Sequence, residues 1–173
     1  MRGPATTEGR ALAAIATDDF GGFYDERRAA TDLRRYHEKG PQPWTKAMIE
    51  WLKAEAVEEA TLLDVGGGVG VIAQELLDAG AASATCVEAS APYVATATAE
   101  SERLGHGKRA TYRHGDFVEL AESIDPADIV TLDRGVNVYP DWERLLELSA
   151  SRARGSTAWS THVTDPSCGW SSP

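Results

Sequence analysis

Cysteine is scarce and long apolar runs are missing. The two cysteines among 173 residues, Cys86 and Cys168, stand far apart with no metal-type spacing, so neither a zinc ribbon nor a disulfide framework is expected. Cys86 lies in the apolar run "SATCVEAS" and reads as a buried, inert thiol. The four histidines, His37, His106, His114 and His162, form no ligand cluster, and no metal is expected. No apolar stretch approaches the roughly 20 residues that span a bilayer, so no membrane partner is expected. Positive charge is also short: 17 Lys and Arg against 27 Asp and Glu give a formal charge of −10. Binding to nucleic acid is driven by clustered Lys and Arg that release counterions, and a chain of this sign repels the phosphate backbone.

What is present is ordinary for a globular protein, with 42% hydrophobic and 25% charged residues. The length suits one core. Residues 1–22 carry Arg2 and Arg10 before a short alanine-rich run, then Asp18 and Asp19, with no clear cleavage site. They read as a flexible leader on a cytoplasmic protein. Residues 23–59 read as a helical cover. "YDERRAATDLRRYHEKG" interleaves charge with apolar positions and stops at Gly40, before Pro41 and Pro43. A second helix is expected from near Thr45, with Met48, Trp51 and Leu52 at core-facing spacing.

From residue 60 the text changes. Short apolar runs begin at Thr61, Ser83, Ala110 and Ala127, separated by helical patterns from near Val69, Ala91 and Phe117, with another from Asp141. Strand alternating with helix predicts an α/β, Rossmann-like, doubly wound parallel sheet over residues 60–154. Ligands of such sheets bind beyond the carboxyl ends of the strands, where strand order reverses.

The first strand ends in "LLDVGGGVG". Glycines let the backbone turn tightly and approach a ligand, and the helix that follows offers free N–H groups. The turn is not the dinucleotide fingerprint G-x-G-x-x-G, because Val71 occupies the third glycine position. Nor is it a phosphate-binding P-loop, since no Lys-Ser or Lys-Thr follows. Asp64 at the turn suits a cationic or hydrogen-bond-donating ligand better than a pyrophosphate.

Over roughly residues 61–154 the sequence resembles the class I S-adenosylmethionine-dependent methyltransferases, on four motifs. The resemblance implies that Asp64, Gly66, Gly67, Gly68 and Gly70 shape the cofactor pocket, with Asp64 facing the methionyl amino group. It implies that Glu88, beside Ala89 and about two dozen residues after Asp64, binds both ribose hydroxyls, as a carboxylate can. In "HGDF", Gly115 and Asp116 would meet the adenine and Phe117 would lie against its ring, while Asp133 and Arg134 would end the fourth strand beside the sulfonium. The helical cover has a looser similarity to small-molecule methyltransferases of the magnesium-protoporphyrin type. In the family, segments like that holding Phe23, Tyr24 and Trp44 often close over the cofactor.

The expected function is S-adenosylmethionine-dependent methyl transfer to an oxygen or carbon of a small-molecule acceptor. Two alternatives stand beside it: a non-catalytic S-adenosylmethionine-binding module, and a nicotinamide-dependent oxidoreductase. Methyl transfer requires alignment above all, so no catalytic residue is assigned; Asp133, Arg134, Asn137 and Tyr139 are candidates to face substrate. The sheet is expected to be truncated after the fourth strand and its helix. Residues 155–173, rich in Ser, Thr, Gly and Pro, read as an irregular tail compatible with a shifted reading frame, because permitted codons read out of frame can encode an apolar strand and helix. Such a truncated copy is expected to have little or no activity.

Overall fold

The computed structural model describes residues 23–55, 57–133, 139–160 and 170–171. The expected leader and most of the tail lie outside these residues. Helix α1, Glu26–Lys39, starts at Asp25, whose carboxylate accepts from the Arg28 N–H at 2.8 Å, and stops at Gly40, where φ is 71°. Helix α2, Pro43–Glu55, begins two residues before the expected Thr45, because proline is pre-set for a first helical turn and gives up no intrahelical bond there. It buries Met48, Ile49 and Leu52, with Trp51 partly covered.

The alternation then runs β1 Thr61–Val65, α3 Val71–Asp78, β2 Ser83–Glu88, α4 Ala91–Arg103, β3 Ala110–His114, α5 Phe117–Leu120, β4 Ala127–Asp133 and α6 Trp142–Ser151. All four strands start where the sequence pattern places them. Two further strands follow, β5 Ala153–Ser160 and β6 Trp170–Ser171. The sheet order is β3-β2-β1-β4-β5-β6. Strands β1 to β5 are parallel and β6 is antiparallel to β5. Chain order reverses between β1 and β4, which places the switch point, and hence the expected ligand edge, at the carboxyl ends of those two strands.

Strand β5 corrects the expected end of the sheet. "ARGSTAWS" has no apolar alternation, but β4 offers a row of backbone donors and acceptors, and pairing with it satisfies groups that would otherwise be left at an edge. Small residues permit the close approach. A Cβ built on Gly155 would stand 2.8 Å from the Asp128 carbonyl oxygen, beside an irregularity in the ladder between Ala127 and Ile129. Ala158 is fully buried.

Both sheet faces are covered. On one, Leu62, Cys86 and Ile129 pack beneath Met48 and Leu52 of α2 and Ile72 and Leu76 of α3. On the other, Leu63, Val65, Val130 and Leu132 meet Phe117, Leu145 and Leu148. Truncating a fully buried leucine such as Leu63 or Leu132 to alanine is expected to destabilise by about 2–5 kcal/mol. Helix α1 is held over this frame by a small apolar cluster of Ala29, Val69 and Tyr93. Polar contacts reinforce it: Tyr93 Oη donates to Asp32 at 2.6 Å, Ser90 Oγ to the Tyr24 carbonyl at 2.7 Å, and Tyr36 Oη to Glu75 at 3.1 Å, while His37 Nε2 lies 2.8 Å from Glu100 Oε1. The two opening helices therefore stand against the glycine turn rather than beside an unrelated face.

Candidate functional site

The site is built on the carboxyl ends of β1, β2 and β4. Strand register sets Asp64 directly beside Thr131, and the Thr131 hydroxyl donates to Asp64 Oδ1 at 2.7 Å. The other oxygen, Oδ2, is buried and has no hydrogen-bond partner among the described residues. Asp64 is fully buried. Burial pushes its carboxyl up to about 7; the Thr131 bond opposes the shift, and the nearby Asp133 and Glu88 carboxylates add to it. A buried carboxylate oxygen without a donor carries a desolvation cost of about 1–3 kcal/mol or more. A fold keeps such a group where a ligand is to complete it.

The glycines explain why that oxygen is reachable. A Cβ on Gly67 would sit 2.5 Å from Asp64 Oδ2 and 3.0 Å from its carboxyl carbon, so any side chain at residue 67 would displace the carboxylate. Gly70 begins α3 with φ of 80°, and a Cβ there would meet the Tyr112 hydroxyl at 3.0 Å. That hydroxyl accepts from Gln74 Nε2 at 2.8 Å, and Gln74 Oε1 lies 2.7 Å from His106 Nδ1. A buried polar network thus fixes the start of α3. Gly66 and Gly68 also have positive φ.

Glu88 ends β2 facing the turn. Its Oε2 accepts from the Gly68 N–H at 3.0 Å and its Oε1 from the Ser90 N–H at 2.9 Å. Burial raises its carboxyl above the ordinary range, against the lowering effect of those N–H donors. The Ala89 N–H adds to these, and a carboxylate with about four lone-pair sites keeps acceptor capacity beyond them. Ala89 follows, its carbonyl 3.0 Å from His114 Nε2. Gly115 ties β3 to β2 through an N–H bond to the Glu88 carbonyl at 3.0 Å.

Asp116 caps α5: Oδ1 accepts from the Val118 N–H at 2.8 Å, and Oδ2 accepts from the Tyr139 hydroxyl at 2.8 Å. Burial, and after it that bond, push the Tyr139 phenol far above its ordinary range. Tyr139, expected as a group to face substrate, is instead placed as a partner of Asp116. The Phe117 ring is 4% exposed and packed in the core with Leu63 and Val87, so it does not present a face at the site. Asp133 ends β4, where its Oδ2 accepts from the Thr45 hydroxyl at 2.5 Å. Arg134 and Asn137 lie outside the described residues.

A cleft joins these parts. Gly66, Gly67, Gly68 and Asp133 form its floor, and Asp32, Arg35, Tyr36, Gln42 and Thr45 of the helical cover form its wall. Sequence reasoning missed Thr131, Thr45 and Arg35. Thr131 was findable, since parallel pairing of the first and fourth strands with "DV" beside "TL" brings it next to Asp64. Thr45 and Arg35 carry no local signal, because their roles arise only when α1 and α2 fold back onto the turn. Among the described residues no group of His, Cys, Asp and Glu is arranged to hold a metal, and no helix is long and apolar enough to cross a membrane.

Comparison with known proteins agrees with this geometry. A family model described as "Methyltransferase domain" matches residues 62–154, more than half of the chain. No curated protein matches the sequence. Among solved structures, magnesium protoporphyrin IX methyltransferase from Synechocystis PCC 6803, crystallised with S-adenosylhomocysteine, has a TM-score of 0.66 at 24% identity, covering 84% of this chain and 70% of that one. An S-adenosylmethionine-dependent methyltransferase from Geobacter sulfurreducens, also with S-adenosylhomocysteine, has 0.59 at 22%, covering 73% and 52%. Precorrin 8W decarboxylase from Methanobacterium thermoautotrophicum has 0.61 at 20%, covering 72% and 66%. At these identities the likeness is one of fold.

Proposed function

This chain belongs to the methyltransferase-domain family, in its class I S-adenosylmethionine-dependent form, and we propose that it binds S-adenosylmethionine at residues 64–70 and passes the methyl group to a small-molecule acceptor. The observation that carries the reading is the buried Asp64 Oδ2, without a donor, lying against a glycine that has no room for a side chain. A methionyl ammonium supplies the missing donor. The rest of the site fits the same ligand. Glu88 retains acceptor capacity for two ribose hydroxyls, and Asp116, held by Val118 and Tyr139, retains it for an adenine amino group.

When bound, the cofactor supplies a methyl group on a sulfonium, which is transferred by in-line displacement. The protein's tasks are to align the two reactants and exclude water. Thr131 and the glycine turn fix Asp64; Thr45 fixes Asp133 at the cleft floor; α1 and α2 wall the cleft. An oxygen or carbon acceptor on a small molecule is favoured by the acidic chain, which disfavours nucleic acid. Two of the structural neighbours are named for small molecules, magnesium protoporphyrin IX and precorrin 8W. The test is formation of S-adenosylhomocysteine from S-adenosylmethionine over a panel of small carboxylates, phenols and enolisable compounds. Product with one acceptor class supports the enzyme. Tight cofactor binding with no product over the panel supports a non-catalytic binding module instead.

A further inference from the structure

The donor that Tyr139 gives to Asp116 is more than a helix cap needs. Asp116 opens α5 with its Oδ1 on the Val118 N–H at 2.8 Å, which already closes the turn. The second bond, from the Tyr139 hydroxyl to Oδ2 at 2.8 Å, comes from a different part of the chain. Pro140 restricts the backbone at Tyr139, and Asp141 then caps α6 through the Arg144 N–H at 3.2 Å. The Tyr139 ring packs against the core cluster that holds Phe117, Leu145 and Leu148. The core thus sets where the hydroxyl stands, and two separate elements pin the carboxylate at both oxygens. Burial, the Asp116 bond and the nearby Asp141 and Glu119 carboxylates keep the phenol protonated, so the tyrosine is the donor. Asp116 meets a ligand as a fixed acceptor, with two of its about four lone-pair sites filled.

We propose that Tyr139 is a positioning residue that acts through Asp116 and makes the site select a purine with a donor at its 6-position over one with a carbonyl there. The assignment rests on the reading of this sheet edge as a cofactor site. A 6-oxopurine presents an acceptor where adenine has its amino group, and carries its nearest donor on N1 instead. A carboxylate pinned at both oxygens cannot swing to follow that donor. One released from Tyr139 can, since the Val118 bond alone lets Oδ2 pivot about Oδ1. Because Tyr139 stands at the entry to α6, the chain that follows β4 takes part in choosing the base.

The experiment measures the affinities of S-adenosylhomocysteine and its deaminated analogue, S-inosylhomocysteine, for the full chain, Tyr139→Phe, Asp116→Asn and the double variant. Phenylalanine keeps the ring in the core and removes only the donor. The wild type is expected to prefer S-adenosylhomocysteine by about 100-fold or more, since a site built around one donor rejects an analogue that lacks it. Tyr139→Phe should weaken S-adenosylhomocysteine by about 5-fold and cut the preference by about 10-fold. In the Asp116→Asn background the same substitution should shift S-adenosylhomocysteine affinity by less than about twofold, as for two residues that act as one unit. An unchanged preference in Tyr139→Phe overturns the assignment, whether both affinities hold or both fall alike; the second result marks a brace between α5 and α6. A full-sized effect of Tyr139→Phe in the Asp116→Asn background also overturns it, because Tyr139 then acts by another route. A wild type that binds both ligands equally refutes the assignment alone, and one that binds neither refutes the cofactor reading as well.

Discussion

Two aspartates mark opposite ends of the central strands and live under opposite conditions. Asp128, at the amino end of β4, accepts from the Thr61 N–H at 2.9 Å, from the Thr61 hydroxyl at 2.7 Å and from Arg154 Nε at 3.1 Å. These donors, led by the Thr61 N–H, hold its carboxyl below the ordinary range. Asp64, at the carboxyl end of β1, has one donor for two buried oxygens, and burial pushes it up to about 7. One acid is complete within the protein and fastens β1, β4 and β5 together. The other is left incomplete, at the edge where open parallel sheets bind their ligands. On the same pair of strands, the acid that its own fold leaves unsatisfied is the one with a place for a ligand donor.

The largest expected effect comes from relieving the incomplete acid. In the unfolded chain Asp64 loses its proton near pH 4, while in the folded chain it keeps it to about 7. Between these values the folded state binds the extra proton, so the contribution of Asp64 to stability is fully present below about pH 4 and is lost as pH rises through 7. The total is on the order of 4 kcal/mol. Asp64→Asn, which keeps the acceptor for Thr131, should therefore raise the thermal stability of the ligand-free protein at pH 8, flatten its decline between pH 5 and 8, and abolish tight S-adenosylhomocysteine binding. Denaturation followed across pH checks this; a variant less stable than wild type at pH 8 would break the contrast.

Glu88→Ala is next. Loss of two charge-assisted ribose contacts should weaken S-adenosylhomocysteine by about 2–4 kcal/mol, read as a rise in Kd. The release of the Gly68 N–H adds to this loss. Unchanged affinity would remove Glu88 from the site.

Asp128→Ala gives the complementary result at the other end. Its side chain is 45% exposed, so solvent screens much of the pairing with Arg154; the loss is expected at about 1–2 kcal/mol of stability, chiefly from the Thr61 bonds. Ligand affinity should stay within about twofold of wild type. Because its carboxyl is held low, the stability it supplies is present above about pH 4 and lost as pH falls through that lowered value, opposite in sign to Asp64. The smallest effect is at the helical cover: amide exchange at Tyr24 and Trp44 should slow on ligand binding if α1 and α2 close on the cofactor, and equal exchange with and without ligand would remove that role.

Much of this was legible in the sequence because it is local. The strand starts at Thr61, Ser83, Ala110 and Ala127 follow from short apolar runs between helical patterns, and the glycine turn with its acids follows from motif order. What was not legible is what depends on partners distant in sequence. Strand β5 has polar text and forms because β4 offers an edge. The Phe117 ring was expected on the ligand and is in the core, since the backbone at Asp116 turns the next side chain inward as α5 begins. Tyr139 was expected toward substrate and binds Asp116 across 23 residues of chain. Thr45 and Arg35 come to the site only through the packing of the opening helices.

The central claim, that the Asp64 end of the sheet is the cofactor end, is tested most directly by calorimetric titration of the wild-type protein with S-adenosylhomocysteine at pH 6 and pH 8, with NAD as the control. A ligand ammonium favours the ionised carboxylate, so binding below the raised value near 7 must first displace a proton. The account predicts one site, about 10-fold tighter at pH 8 than at pH 6, with proton release at pH 6 and no binding of NAD. Absence of S-adenosylhomocysteine binding at both pH values, or binding of NAD in its place, would contradict it.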